Sequence, residues 1–255
     1  MLIGISFKTW FSHARTLDWL RAVAATARGH DAVVSGAVRL FAMPQYPTIP
    51  AAVGIAAPAG IAIGAQDIAE HDDGPWTGEV TGPVLAEVGA TMAEVGHAER
   101  RAHFGETSAV VAAKTLAALR NGLTPVLCVG EAGRDSPERA ADAVRAQVDD
   151  ALAPARAAGT GGPLVVAYEP VWAIGAPEPA PPAHVREVGA ALREHLAGEP
   201  DARVIYGGSA GPGLLPQIAD GVDGMFLGRF AHDPAAVGTI LDEVLALGPA
   251  AVQAR

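Results

Sequence analysis

One cysteine, Cys128, stands among 255 residues. No disulfide can close within the chain, which agrees with a reducing cytoplasm. Positive charge is also scarce. Eighteen Lys and Arg face 28 Asp and Glu, a formal net charge of −10, so the long-range field repels nucleic acid and anionic membranes. An anionic small substrate must then be held by local donors. The opening MLIGISFKTW runs straight into a strand-like pattern, with no basic region and apolar export core before it. No apolar run is long and bare enough to span a bilayer. The eight histidines form no convincing cluster with Asp, so no metal is expected, nor any other cofactor. The expectation is a cytoplasmic protein with neither nucleic-acid nor membrane partners.

What the chain does have is apolar bulk in a regular rhythm. Half of the residues are apolar and 18% are charged, which suits strands buried on both faces. Short apolar runs predict strands at Leu2–Ser6, Arg39–Met43, Ile61–Ala65, Thr91–Val95, Thr124–Val129, Leu164–Tyr168, Arg203–Tyr206 and Met225–Leu227. Between them, near-helical spacing of apolar residues predicts helices, most clearly at Ser12–Arg28, Ser108–Asn121, Pro137–Ala158 and Ala183–Ala197. Ser136-Pro137 reads as an N-cap with proline at the first position, and Asn121-Gly122 as a helix stop. The alternation implies a parallel α/β sheet. At this length, closure of residues 1–255 into a single-domain (β/α)8 barrel is its commonest outcome. A doubly wound sheet would want a glycine fingerprint after the first strand, where Ser6-Phe7-Lys8 stands instead.

Reacting groups in such barrels sit at the C-terminal ends of strands, which selects a short set. Glu169 follows the run LVVAY and precedes Pro170-Val171-Trp172. A carboxylate there is partly desolvated, as a general base needs; a glutamate that caps the next helix would look the same. His97 follows the fourth strand, and a short helix starting there would favour the neutral imidazole. A histidine that only caps that helix is the bland alternative. Lys8 ends the first strand, where an ammonium can stabilise an enediolate, although a lone lysine is more often a solvated surface group. Glu99 and Arg100 read as structural ion-pair partners. Tyr206-Gly207-Gly208-Ser209 and Leu227-Gly228-Arg229 end the last two strands, where barrels often bind phosphate through backbone N–H groups.

Together these segments resemble the triosephosphate isomerase family along nearly the whole chain. The resemblance is carried by Gly64-Ala65-Gln66-Asp67, Trp76-Thr77-Gly78-Glu79, His97-Ala98-Glu99-Arg100-Arg101, Phe104-Gly105-Glu106, Cys128-Val129-Gly130-Glu131, Tyr206-Gly207-Gly208-Ser209 and, most specifically, Ala167-Tyr168-Glu169-Pro170-Val171-Trp172-Ala173-Ile174-Gly175. It implies a cofactor-independent TIM-barrel isomerase of a phosphorylated sugar. Glu169 would shuttle a proton between adjacent carbons through a cis-enediol. His97 would polarise the oxygens and Lys8 anchor the charge. Glutamate with neutral histidine is the familiar pairing for this family. Pro170–Ala180 would be a mobile lid, with Gly175, Ser209 and Gly228 offering N–H groups to the phosphate. Asp73–Glu79 would be the interlocking loop of a homodimer.

Four positions depart from the family pattern. Ser6 stands where asparagine is usual, Ala98 where serine is, Arg229 where a second glycine is, and Pro177 replaces a lid glycine. Serine is shorter than asparagine by about two non-hydrogen atoms, roughly the room for one hydroxymethylene group. Arg229 places a fixed cation near the phosphate or a distal hydroxyl. Ser6 and Arg229 together resemble a subgroup acting on four-carbon erythrulose phosphates, converting L-erythrulose 1-phosphate to D-erythrulose 4-phosphate. That is the favoured expectation. A triosephosphate isomerase proper and a catalytically silent phosphate-binding barrel are the alternatives.

Overall fold

A computed structural model describes residues 1–199 and 201–253, with side chains to residue 248. Eight parallel strands close in sequence order into a barrel: β1 (Leu2–Ser6), β2 (Arg39–Met43), β3 (Ile61–Ala65), β4 (Met92–Val95), β5 (Thr124–Val129), β6 (Leu164–Tyr168), β7 (Ala202–Tyr206) and β8 (Gly224–Leu227). β1 pairs with both β2 and β8, which closes the ring. Around it run α1 (His13–Gly29), α2 (Asp31–Val34), α3 (Ile49–Ala56), α4 (Gly82–Glu87), α5 (Ala98–Phe104), α6 (Ser108–Arg120), α7 (Pro137–Ala157), α8 (Pro182–His195), α9 (Leu215–Ile218) and α10 (Pro234–Gln253). No helix among the described residues is long and apolar enough to cross a membrane.

The strand alternation sorts side chains into two cores. One parity, with Ile3, Ile5, Leu40, Ala93, Val95 and Val166, faces the helices. The other fills the barrel with Phe41, Met43, Met92, Val126, Cys128, Val165, Ala167, Ile205 and Phe226. Phe41 and Phe226 stack at 5.6 Å across that interior. The ring of Phe41 fits because Gly4 lies beside it; a Cβ on Gly4 would overlap the ring.

Five strands have the expected bounds, and three differ by one residue at their start. The helix ends also fall where capping chemistry puts them. Ser12 and Ser136 accept the backbone N–H groups of Arg15 and Arg139, and Gly122 takes the left-handed backbone (φ 71°) after α6. Sequence periodicity overlooked α10, where apolar residues are nearly continuous and a kink at Gly248 (φ 75°) interrupts the run. The four-residue helices α2 and α9 are too short to show a period.

Candidate active site

Strand ends β1, β4, β6, β7 and β8 surround a cavity of about 260 Å³ at the C-terminal mouth, lined by Ser6, Lys8, His97, Glu169, Gly175, Ser209, Gly228 and Arg229 among others. The eight residues expected to act on or hold the substrate therefore meet in one place, whereas Ala98 and Pro177 do not line it. Trp10 and Phe230 add an aromatic rim that the strand-end rule does not select.

Glu169 directly follows β6, its N–H donating to the Val129 carbonyl at 2.8 Å. It is 7% exposed, and its Oε2 is buried with no hydrogen-bond partner. Gly207 on the neighbouring strand end makes room for it, since a Cβ there would overlap the carboxylate. His97 caps α5, and its Nδ1 accepts the Glu99 backbone N–H at 3.1 Å. An accepting Nδ1 carries no proton, so the ring proton belongs on Nε2. That nitrogen faces Glu169 Oε2 at 3.4 Å. Lys8 adopts a left-handed backbone (φ 48°), a conformation that costs a non-glycine residue energy and aims this side chain inward. Its ammonium meets Glu99 Oε1 at 2.5 Å, and Gln66 holds its carbonyl at 2.9 Å.

The segment Pro170–Ala180 lies down across the last two strand ends. Its Ala180 N–H donates to the Tyr206 hydroxyl at 2.9 Å. The Ser209 hydroxyl reaches the Ala176 and Ala173 carbonyls at 2.7 and 3.1 Å. At its first turn, Trp172 Nε1 donates to Glu131 Oε1 at 2.9 Å, and buried Glu131 also receives the Tyr168 hydroxyl. Arg229 Nη2 donates to the Gly175 carbonyl at 3.0 Å. The side chain is exposed, lines the cavity and spans from the end of β8 to the Pro170–Ala180 segment.

Glu94 was overlooked in the sequence. It shares strand parity with Met92, so it points into the barrel directly below the site. It is 3% exposed, and its Oε2 accepts the Ser6 hydroxyl at 3.2 Å. Burial, helped by the Glu169 charge, pushes its carboxyl from 4.5 up to about 7, against the pull of His97, the Lys8 charge and the Ser6 hydrogen bond. Burial likewise pushes the Cys128 thiol up, with Glu169 and Glu94 adding to it, so this thiol stays uncharged.

A folded pKa above the unfolded one means that the native state holds the proton more tightly. Glu94 therefore weakens the fold as pH rises from about 4.5 to about 7, by a cost on the order of 3 kcal/mol once it is fully ionised. Glu94→Gln is accordingly expected to raise stability at pH 8 and to gain much less at pH 5. Denaturant unfolding of both proteins at the two pH values checks this; an equal gain at both would show that ionisation is not the cost.

Fold and site define a barrel enzyme equipped for proton transfer at its C-terminal mouth. The family model for triosephosphate isomerase matches residues 1–244. The chain belongs to that family and is an isomerase. It is 50% identical to an L-erythrulose-1-phosphate isomerase of Pectobacterium atrosepticum, over 97% of this chain and 96% of that one. It is 36% identical to an L-erythrulose-1-phosphate isomerase of Rhizobium etli, over 96% and 92%. With a triosephosphate isomerase of Leifsonia xyli subsp. xyli the identity is 37%, over 94% and 95%.

Proposed function

We propose that the protein interconverts L-erythrulose 1-phosphate and D-erythrulose 4-phosphate. The observation that carries this reading is the 50% identity, along nearly the whole chain, to a relative of that name. Ser6 and Arg229, at two positions where the subgroup departs from the family, support it.

The phosphate lies against the backbone N–H groups of Gly175, Ser209 and Gly228. Glu169 takes the proton from C3 of L-erythrulose 1-phosphate while His97 Nε2–H donates to the C2 oxygen. Lys8 stabilises the charge that develops on the enediolate oxygens. The proton returns to C2, and the carbonyl moves to C3. Read from its other end, that product is D-erythrulose 4-phosphate. The lid keeps water away from an enediol that would otherwise expel its phosphate.

The test is kcat/KM for L-erythrulose 1-phosphate, D-erythrulose 4-phosphate and dihydroxyacetone phosphate, measured on one metal-free preparation. A large preference for the four-carbon sugars supports the reading. A preference for dihydroxyacetone phosphate replaces it with triosephosphate isomerisation, and turnover of none points to a binding barrel.

Arg229→Ala is expected to lower kcat/KM by about fivefold, the worth of one ordinary hydrogen bond of about 1 kcal/mol at an exposed side chain, and equally for both sugar classes, because the guanidinium holds the lid. A loss confined to the four-carbon substrates would return Arg229 to reading the sugar.

The protein is further proposed to act in the cytoplasm as a homodimer through Asp73–Glu79. Asp72 anchors the base of that loop to Arg120 and Asn121, while Trp76 stacks on His71 at 3.9 Å and stays 46% exposed. Sedimentation of the wild type and of a loop-deleted variant tests it: a monomeric wild type removes the proposal. A wild type recovered outside the cytosolic fraction removes the cytoplasmic assignment.

A further inference from the structure

Ser6 and Glu94 are polar groups in a barrel interior otherwise filled by Phe41, Met43, Met92, Val126 and their apolar neighbours. A buried carboxylate that weakens the fold at neutral pH calls for a compensating role. Its position suggests which. The phosphate end of the cavity is built by the loops after β6, β7 and β8, and β4 stands opposite β8 in the eight-stranded ring. Beyond the reacting centre, a second cavity of about 420 Å³ adjoins the first. The two share Ser6, Lys8, His97 and Glu99, and Glu94 lines the second.

A tetrulose 1-phosphate is dihydroxyacetone phosphate with one hydroxymethyl group added to the carbon that loses its proton. Phosphate, reacting carbons and hydroxymethyl lie in that order along the molecule. With the phosphate at the β7–β8 end and the reacting carbons between Glu169 and His97, the extra group points away from the phosphate loops, toward β4, where Ser6 reaches Glu94 from the end of β1. We infer that Ser6 and Glu94 form the subsite for this terminal hydroxymethyl group, Ser6 by leaving room for it and Glu94 by hydrogen-bonding its hydroxyl. The inference rests on the four-carbon reading above. One carboxylate oxygen takes the Ser6 hydroxyl, and the carboxyl has a second oxygen to offer the sugar. A carboxyl that titrates near neutrality can serve that hydroxyl as acceptor or donor. On this reading Glu94 selects substrate and takes no part in moving the proton.

The experiment compares L-erythrulose 1-phosphate with its 4-deoxy analogue, which ends in methyl, and with dihydroxyacetone phosphate, in wild type, Glu94→Val, Glu94→Gln and Ser6→Asn. Wild type is expected to favour the hydroxylated tetrulose over the deoxy analogue by about 10- to 100-fold in kcat/KM, the range for a hydrogen bond to a charged group. Glu94→Val should bring that ratio near one. Glu94→Gln, whose amide keeps a hydrogen-bonding group, should fall between. Ser6→Asn should shift the tetrulose-to-triose ratio toward triose by filling the space. Ratios taken within one variant do not depend on the fraction of protein folded, and Glu94→Gln alone decides if Glu94→Val does not accumulate. A wild-type enzyme that turns over the tetrulose but ignores loss of its hydroxyl overturns this inference alone. So does a ratio unchanged in both Glu94 variants. A wild-type enzyme inactive on every erythrulose phosphate overturns the four-carbon reading, and this inference with it.

Discussion

Glu169→Gln is expected to lower kcat by about a thousandfold, the scale of a lost general base, while KM changes by less than about threefold, since an isosteric amide alters little of the ground-state binding. The amide fits the space that Gly207 leaves, and the turn after β6 is held by backbone bonds, Glu169 N–H to Val129 and Gly207 N–H to Tyr168. Only proton affinity is removed. The atom concerned is Oε2, buried without a partner and 3.4 Å from the imidazole nitrogen. Glu169→Asp keeps the base but withdraws it by one methylene, more than an ångström, and such a displacement costs about a hundredfold. Steady-state rates check both values. Substrate incubated in heavy water gives a second readout, because proton–deuterium exchange at the reacting carbons should vanish in the Gln variant and survive, slowed, in the Asp variant. Wild-type rates in Glu169→Gln would remove Glu169 from the chemistry.

What could be read in the sequence was whatever depends on neighbours along the chain. Strand–helix alternation gives the barrel, and strand-end position gives Lys8, His97 and Glu169, because closure brings all C-terminal ends to one mouth. Glu94 escaped for a physical reason. A charged residue in a short strand usually marks the solvent side, and only the closed barrel, with Met92 and Glu94 on the inner parity, turns it inward. The partner of Arg229 escaped too. Gly175 lies 54 positions away, and no local pattern records that a long side chain crosses to the lid. Lys114 is the third case: inside a helix it reads as neither surface nor site, whereas the fold buries it between two carboxylates, Asp67 and Glu106, that are 47 and 8 residues away.

That burial makes Lys114→Met the most disruptive change expected outside the active site. Lys114 is 4% exposed; its ammonium meets Asp67 at 2.7 and 2.8 Å and Glu106 at 2.6 Å. Arg100 bonds the same two carboxylates from the other side, at 2.9 and 2.5 Å. Burial raises the Asp67 carboxyl above its ordinary value in spite of Lys114 and Arg100. In Glu106 burial pushes the same way, but the hydrogen bonds from Lys114 and Arg100 prevail and hold it below. Methionine fills much of the volume but leaves two buried carboxylates sharing one guanidinium. Breaking a buried pair in this way costs about 3–5 kcal/mol, which for a domain of this size lowers the unfolding midpoint by roughly 10 °C. The pH dependence supplies the sign. Without the ammonium both carboxyls move up in the folded state, so the variant loses stability as pH rises above their unfolded values near 4. Its deficit against wild type should therefore shrink from pH 7 to pH 5. Thermal unfolding of both proteins at fixed concentration across that range decides the matter. A deficit independent of pH would mean that Lys114 contributes packing alone, and no deficit would mean that Arg100 suffices for both carboxylates. Since Arg100 begins its hydrogen-bonding turn at His97, the same network fixes the start of α5, and with it the imidazole that faces Glu169.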